Sequence, residues 1–296
     1  MPNDILAVEF RLLGPFAIHY RGRPVDQALS SPSSKLLIYL LANGERRHRR
    51  ECLIETIWPE PRAPSRGTFN TTLWRLKKFL ENLPGPQLEA RPDTLRLTLG
   101  AGCSVDSAML HTAVERVDII DGALPEETAS ALHQAVACWR GPFAEGQDSD
   151  WVLASREQLH NDYIRALTAL MRDAGASRRY DTAINYGCRI LAEDPFIESV
   201  HCEVMWLCVL TGQRAKAITR HHQFRALLRG ELDIGPMAET TALFDFISNG
   251  LEEWPGLTVG LDRCTTAHHY ESFLSAVGKS RAVVYDALRA MTCRTG

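Results

Sequence analysis

The sequence predicts a mainly α protein with a small β component, in two parts: an N-terminal part that mixes short strands with three helices, and a following part that is helical throughout. Three observations carry this. Strand-like segments at Val8–Ile18 and Leu88–Leu99 bracket a stretch in which apolar residues recur at helical spacing. Beyond Val105 the helical signal is unbroken, and an offset of 34 residues superimposes two segments. The charge also changes sign along the chain: residues 1–103 hold 15 Lys+Arg against 10 Asp+Glu, net +5, whereas residues 104–296 hold 18 against 26, net −8. A polyanion suits the first part and not the second.

At 296 residues the chain has room for roughly two domains. No apolar run approaches the ~20 residues that cross a bilayer, and MPNDILAVEF lacks the basic and apolar regions of a signal peptide, so a cytoplasmic protein is expected. Its eight cysteines show no CxxC pair and read as reduced, mostly packed thiols. His201, Cys202 and Cys208 lie close together but lack a second ligand pair, which favours a core reading over a metal. Gly278-Lys279-Ser280 ends like a phosphate-binding loop, yet Phe273 stands where its partner glycine would be. The pairs His221-His222 and His268-His269 read as solvated or capping histidines. With no GxSxG, HExxH or GxGxxG either, no enzyme, cofactor or metal is expected.

The elements follow in order. VEFRLLGPFAI (8–18) is a strand interrupted at Gly14-Pro15, and HYRGRPV (19–25) a second one turning at Arg21-Gly22-Arg23. PSSKLLIYLL (32–41) is a helix closed by Asn43-Gly44. The run Arg46, Arg47, His48, Arg49, Arg50 then precedes a short helix built on Cys52, Leu53, Ile57 and Trp58 and stopped by Pro59 and Pro61. Cations gain nothing from a helix N-terminus; a polyanion using both them and the free N–H groups would explain the placement, the competing reading being a solvated loop.

PSRGTFNTTLWRLKKFLE (64–81) is the third helix, with two unlike faces. Phe69, Leu73, Leu76 and Leu80 form a core stripe; the other side carries Thr71, Trp74, Arg75 and Lys78, flanked by Thr68, Asn70 and Lys77, with no acid before Glu81. Such a face is what a helix lying in a DNA major groove needs, or else an ordinary solvated surface. LEARPDTLRLTL (88–99) is a β-hairpin turning at Pro92-Asp93, with Arg91 and Arg96 near its tip. Strands, three helices and a terminal hairpin make a winged helix-turn-helix, and this order favours DNA.

RLLGPFAI, CLIETIW before proline, and NTTLWRLKKFLE before a hairpin resemble the OmpR-type winged helix as used in the Streptomyces antibiotic regulatory protein (SARP) family of activators. The resemblance implies that NTTLWRLKK is the recognition helix and that Thr71, Thr72, Arg75 and Lys78 lie at or beside the bases or their phosphates. Trp74 departs from the small residue expected there; it would pack on the sugar-phosphate edge or on a neighbouring subunit. Arg75 is the first candidate for base readout, since a guanidinium pairs bidentately with guanine at about 1–3 kcal/mol of discrimination. Thr71 and Thr72 would bond base edges or pack on a thymine methyl. Arg49, Arg50, Thr68, Lys77, Lys78, Arg91 and Arg96 are the candidates for backbone contact.

The second part reads as helices at Ala108–Val117, Glu126–Trp139 and Val152–Arg172, with WRGPFAEGQDSDW (139–151) a turn-rich link. The 34-residue offset pairs Ala183 with Ala217, Ile184 with Ile218 and Met171 with Met205, the tetratricopeptide period, with Tyr180 and Pro195 suiting that repeat. WRGPFAEGQDSDWVLASREQL and LLRGELDIGPMAETTALFDFI resemble the bacterial transcriptional activator domain (BTAD) that follows the winged helix in the same family. The expected domains are 1–103, winged helix; 104–248, tetratricopeptide-like; and 249–296, an extension of unreadable role, with helices at Tyr270–Val277 and Arg281–Met291. The family implies a homodimer on direct promoter repeats that recruits RNA polymerase through contacts including its sigma factor, here as regulator of a biosynthetic gene cluster. No receiver domain precedes the first strand, so control by phosphorelay is not expected. The rival reading is a helical-repeat adaptor whose basic end binds an acidic protein or membrane surface.

Overall fold

The computed structural model describes residues 8–25, 29–59, 63–117 and 124–249. The motifs and helices expected beyond residue 250 lie outside the described residues. The fold class is as expected, mainly helical with two small sheets. The chain divides into two compact units, one of Met1–Arg116 with Ser130–Ala166, the other of Val117–Ala129 with Leu167–Gly296.

In the first unit, β1 (Val8–Arg11) and β2 (Ala17–Tyr20) pair antiparallel, Val8 opposite Tyr20. The break between them falls at Gly14, whose φ of +109° suits glycine. β3 (Arg23–Pro24) continues the sheet after the turn at Arg21-Gly22. Three helices follow: α1 (Ser31–Ala42), entered through Pro32 and closed at Asn43; β4 (His48–Arg49) and then α2 (Arg50–Ile57); and α3 (Arg66–Leu80), whose first turn is capped by Ser65 Oγ accepting from the Thr68 N–H. The hairpin of β5 (Gln87–Ala90) and β6 (Thr94–Thr98) adds β4 on its far edge, in the order β4-β6-β5. Leu36, Leu37, Leu40, Leu53, Phe69, Leu76, Leu95 and Leu97 fill the core between helices and wing.

Several expectations need correction. Val105 does not open an all-helical region: Cys103–Val105 form β7, which pairs parallel with β1 and completes the sheet β3-β2-β1-β7. Three residues are too few to show a period, so only long-range pairing defines this strand. Cys52 faces outward on α2, and Leu53 and Ile57 are the residues that this helix buries. Residues 139–151 are no mere link. Leu13 and Phe143 bridge, Ala144 donates to the Leu12 carbonyl and Gly14 to that of Pro142, so this stretch clasps the β1–β2 turn. Asp106, at the start of α4 (Asp106–Glu115), accepts from the N–H groups of Leu12, Leu13 and Ser107 and pairs with Arg140 at 2.9 Å. Arg156 of α6 (Asp150–Ala176) holds the carbonyls of Phe143, Ala144 and Gln147. α5 (Glu126–Ala137) and α6 each contribute to both units.

The second unit is built from the end of α6 with α7 (Tyr180–Glu193), α8 (Glu198–Leu210), α9 (Arg214–Leu232) and α10 (Ala238–Asn249). The repeat offset maps α6 onto α8 and α7 onto α9: Met171 and Met205 are both buried, as are Ala183 and Ala217. Gly187 marks the closest approach, where a Cβ would strike Val204 of α8 and come within 3.1 Å of the Met171 sulfur. His221 corrects the solvated reading of its pair. It is buried, stacked on Phe244 at 3.8 Å between centroids, and neither ring nitrogen has a hydrogen-bond partner in the described structure.

Candidate nucleic-acid interface

α3 is half clothed. Its stripe Phe69, Leu73, Leu76 and Leu80 is buried together with Phe79, while Arg66, Thr68, Asn70, Thr71, Trp74, Arg75, Lys77 and Lys78 are exposed. Gly67, Thr71, Trp74 and Lys78 repeat the spacing of the core stripe two residues earlier. Two residues are about 200° of rotation, so these four run along the line opposite the core. Asn70 and Lys77 flank that line on one side, Thr68 and Arg75 on the other.

The hydroxyls divide. Thr71 is exposed and donates to the Gly67 carbonyl at 3.0 Å, so its lone pairs and methyl face outward. Thr72 does not belong with the base-reading candidates: it is buried, its hydroxyl donates to the Thr68 carbonyl, and its own carbonyl accepts from Ser33 of α1. One position separates the two threonines, yet 100° of helix turns one out and the other in. Arg75 is exposed and has no ion pair or hydrogen bond among the described residues. Lys77 is equally free, whereas Lys78 reaches Glu81 at 3.0 Å. Asn70 Oδ1 accepts from Arg50 Nη1, tying α2 to α3 and leaving the Asn70 amide donors outward. Trp74, 61% exposed, is the largest side chain of the face, beside a cavity of about 490 Å³ that it lines with Ser30, Ser33, Arg75, Lys78 and Phe79.

The arginine run is not a loop in front of a helix. His48 is buried in β4 while Arg47 and Arg49 flank it outward, and the Arg50 N–H donates to the Asp93 carbonyl at the wing turn. Arg49 pairs with Thr94 through its backbone, and its side chain has no ion pair or hydrogen bond among the described residues. On the wing, Glu89 receives Arg47 Nη2 and Arg91 Nε, each at 2.8 Å, and the two guanidinium groups hold its carboxyl below the usual carboxylate range. Arg91 is exposed near the turn. Arg96 is not: it sits mid-strand opposite Glu89, half-buried, donating to the Glu45 carbonyl. The hairpin turns at residues 91–94 and leaves Arg96 two residues inside the ladder, on the face opposite Leu95 and Leu97, where the Glu45 carbonyl draws it in. Arg47, named only within the arginine run, and Arg66 are exposed cations beyond the candidates for backbone contact. The Arg47–Glu89 pair joins residues 42 apart, so no local pattern announces it; Arg66, at the first turn of α3, was legible from its position.

In the second unit, His201 stacks on Phe224 and its Nε2 reaches the Pro195 carbonyl, while Cys202 Sγ lies 3.2 Å from Thr240 Oγ1. Burial pushes His201 down to about 4 and Cys202 up to about 11. Among the described residues no three His, Cys, Asp or Glu side chains converge as metal ligands, and no helix is long and apolar enough to cross a membrane.

The family model of the bacterial transcriptional activator domain matches residues 105–248. Two curated relatives, both named transcriptional regulatory protein MoaR1, from Mycobacterium bovis and Mycobacterium tuberculosis, are each 26% identical over 245 residues, covering 80% of this chain and 78% of theirs. Among solved structures, Mycobacterium tuberculosis EmbR in complex with a low-affinity phosphopeptide is similar in fold, with a TM-score of 0.64 and 22% identity over 94% of this chain and 71% of that one. A winged helix leading into a segment that matches the bacterial transcriptional activator domain, with relatives named transcriptional regulatory proteins over most of this chain, makes the chain similar to transcriptional regulators of the SARP type.

Proposed function

We propose that the protein binds promoter DNA sequence-specifically, placing α3 in a major groove with the wing along the adjacent backbone, and that it activates transcription by recruiting RNA polymerase. What carries this reading is the exposed face of α3: hydroxyl, amide and cations on one side of a helix, with no acid before Glu81. Arg75 and Thr71 read bases. Arg49, Arg50, Thr68, Lys77, Lys78 and Arg91 hold phosphates, with Arg47 and Arg66 added to that set; Thr72 and Arg96 support the frame from within. The domain division proposed is a DNA-binding part up to about residue 103 and an activator part from 104 to 248. The acidic helical part mates subunits in a head-to-tail dimer on direct repeats and touches polymerase, including its sigma factor. Its targets on this reading are the genes of a biosynthetic cluster, and it works in the cytoplasm.

The test is binding of the purified chain to fragments of its own genomic neighbourhood against a random duplex at two salt concentrations. One fragment bound ~10³-fold or more above random, with affinity falling steeply as salt rises, is the expected result. Equal weak binding to every duplex overturns it and turns attention to an acidic protein partner.

A further inference from the structure

We infer that Trp74 is a base-reading residue that packs its indole against a thymine methyl on the floor of the major groove, and so sets sequence preference independently of Arg75. This rests on α3 being the groove helix. Trp74 lies in the middle of the outermost line of α3, Gly67-Thr71-Trp74-Lys78, opposite the buried stripe. In a groove about 12 Å wide and 8.5 Å deep, the residues opposite the core come nearest the floor, where base edges lie, while long side chains on the flanks, such as that of Arg75, reach either a base edge or a phosphate. Trp74, in the middle of that line, is therefore placed for bases and not for the sugar-phosphate edge, whereas the long side chain of Lys78, at its C-terminal end, extends to a phosphate.

The surroundings select the same occupant. An exposed tryptophan is a usual mark of a protein contact, but the centres of such contacts are depleted of lysine. Here Arg75 and Lys78 stand beside the ring, Thr71 lies one turn before it, and the nearest acid on the helix, Glu81, is held by Lys78. Nothing in the described structure covers the indole, and the cavity at its side leaves that edge open. Only a ligand that is polyanionic at its rim and apolar at its floor matches both features. The C5-methyl of thymine is the apolar group the major groove offers, and the Nε1–H finds acceptors on the neighbouring purine or on thymine O4. Gly67 and Thr71 are small, so the N-terminal end of α3 comes closest to the bases while the indole props the later turns.

The experiment selects preferred duplexes from a random library with the full-length wild-type chain, W74F and W74A, then replaces each thymine of the wild-type duplex by uracil, which deletes only the methyl. The expected result is one position at which uracil weakens the wild type and W74F about 4-fold, the worth of one buried methyl, and leaves W74A unchanged. The salt dependence of W74A stays that of wild type, since no phosphate contact is lost. Uniform loss of affinity for preferred and random duplexes in W74A, or a change confined to binding stoichiometry, overturns this inference and leaves DNA reading intact. Failure of the wild type to select any duplex removes both. Because the side chain is mostly exposed, both variants are expected to fold, which their unfolding midpoints verify.

Discussion

Two helices of similar length, α3 with 15 residues and α8 with 13, are used in opposite ways. α8 is buried at nine consecutive positions from Val200 to Cys208, enclosed by α7, α9 and α10. α3 is buried along one stripe and leaves a cationic face with no cover. Each carries one tryptophan: Trp206 is 6% exposed and Trp74 61%. A helix wrapped on all sides has its partners within the chain, and its sequence is read by packing. A helix with cations, hydroxyls and a large ring on an uncovered face has its partner elsewhere, and that half of its sequence is read by chemistry. On the proposed reading the difference also separates what mutations do: in α8 they are expected to change stability, on the outer face of α3 recognition.

The largest expected effect that sharpens this contrast is Gly187→Ala. The added methyl meets Val204 of α8 and the Met171 sulfur, and the tightly enclosed α8 has little room to yield; a loss of about 3 kcal/mol in denaturant unfolding, with DNA selectivity of the folded fraction unchanged, is expected. Acid acts on the same region. His201 is held down to about 4 by burial from an ordinary 6.5, and with Nε2 engaged by the Pro195 carbonyl, a proton on its buried Nδ1 finds no acceptor. Between these values the unfolded chain takes up a proton the folded chain refuses. Its contribution, on the order of 2–3 kcal/mol, is complete above pH 6.5 and is lost as pH falls towards 4. Unfolding midpoints measured across that window check this, and His201→Phe flattens the slope.

On α3 the effects are of recognition. Arg75→Ala is expected to lower discrimination between the preferred duplex and its variants by about 10- to 100-fold at one position, without moving the unfolding midpoint. Lys78→Ala is the mildest: weaker binding to all duplexes alike, by a few-fold, and a salt slope shallower by about one. A change of selectivity in Lys78→Ala, or of stability alone in Arg75→Ala, breaks the division between the two helices.

Much of this was legible locally. The core stripe of α3, the helix end at Asn43, the break at Gly14-Pro15 and the turn of the wing follow from side-chain period and backbone preference, which act within a few residues. So do the reversal of net charge along the chain and the 34-residue repeat, which are properties of the string itself. Tertiary structure decided what depends on neighbours far along the chain. β7 exists because β1 offers it an edge, and residues 139–151 fold because Leu12, Leu13 and Gly14 supply partners about 130 residues earlier. Arg96 was withdrawn from the wing tip by the Glu45 carbonyl, and His221 was buried by Phe244 of α10; the inward turn of Thr72, by contrast, follows from helix rotation alone. Periodicity states which residues share a face; what stands opposite that face, and which of its charges are already paired, is settled only when distant segments meet.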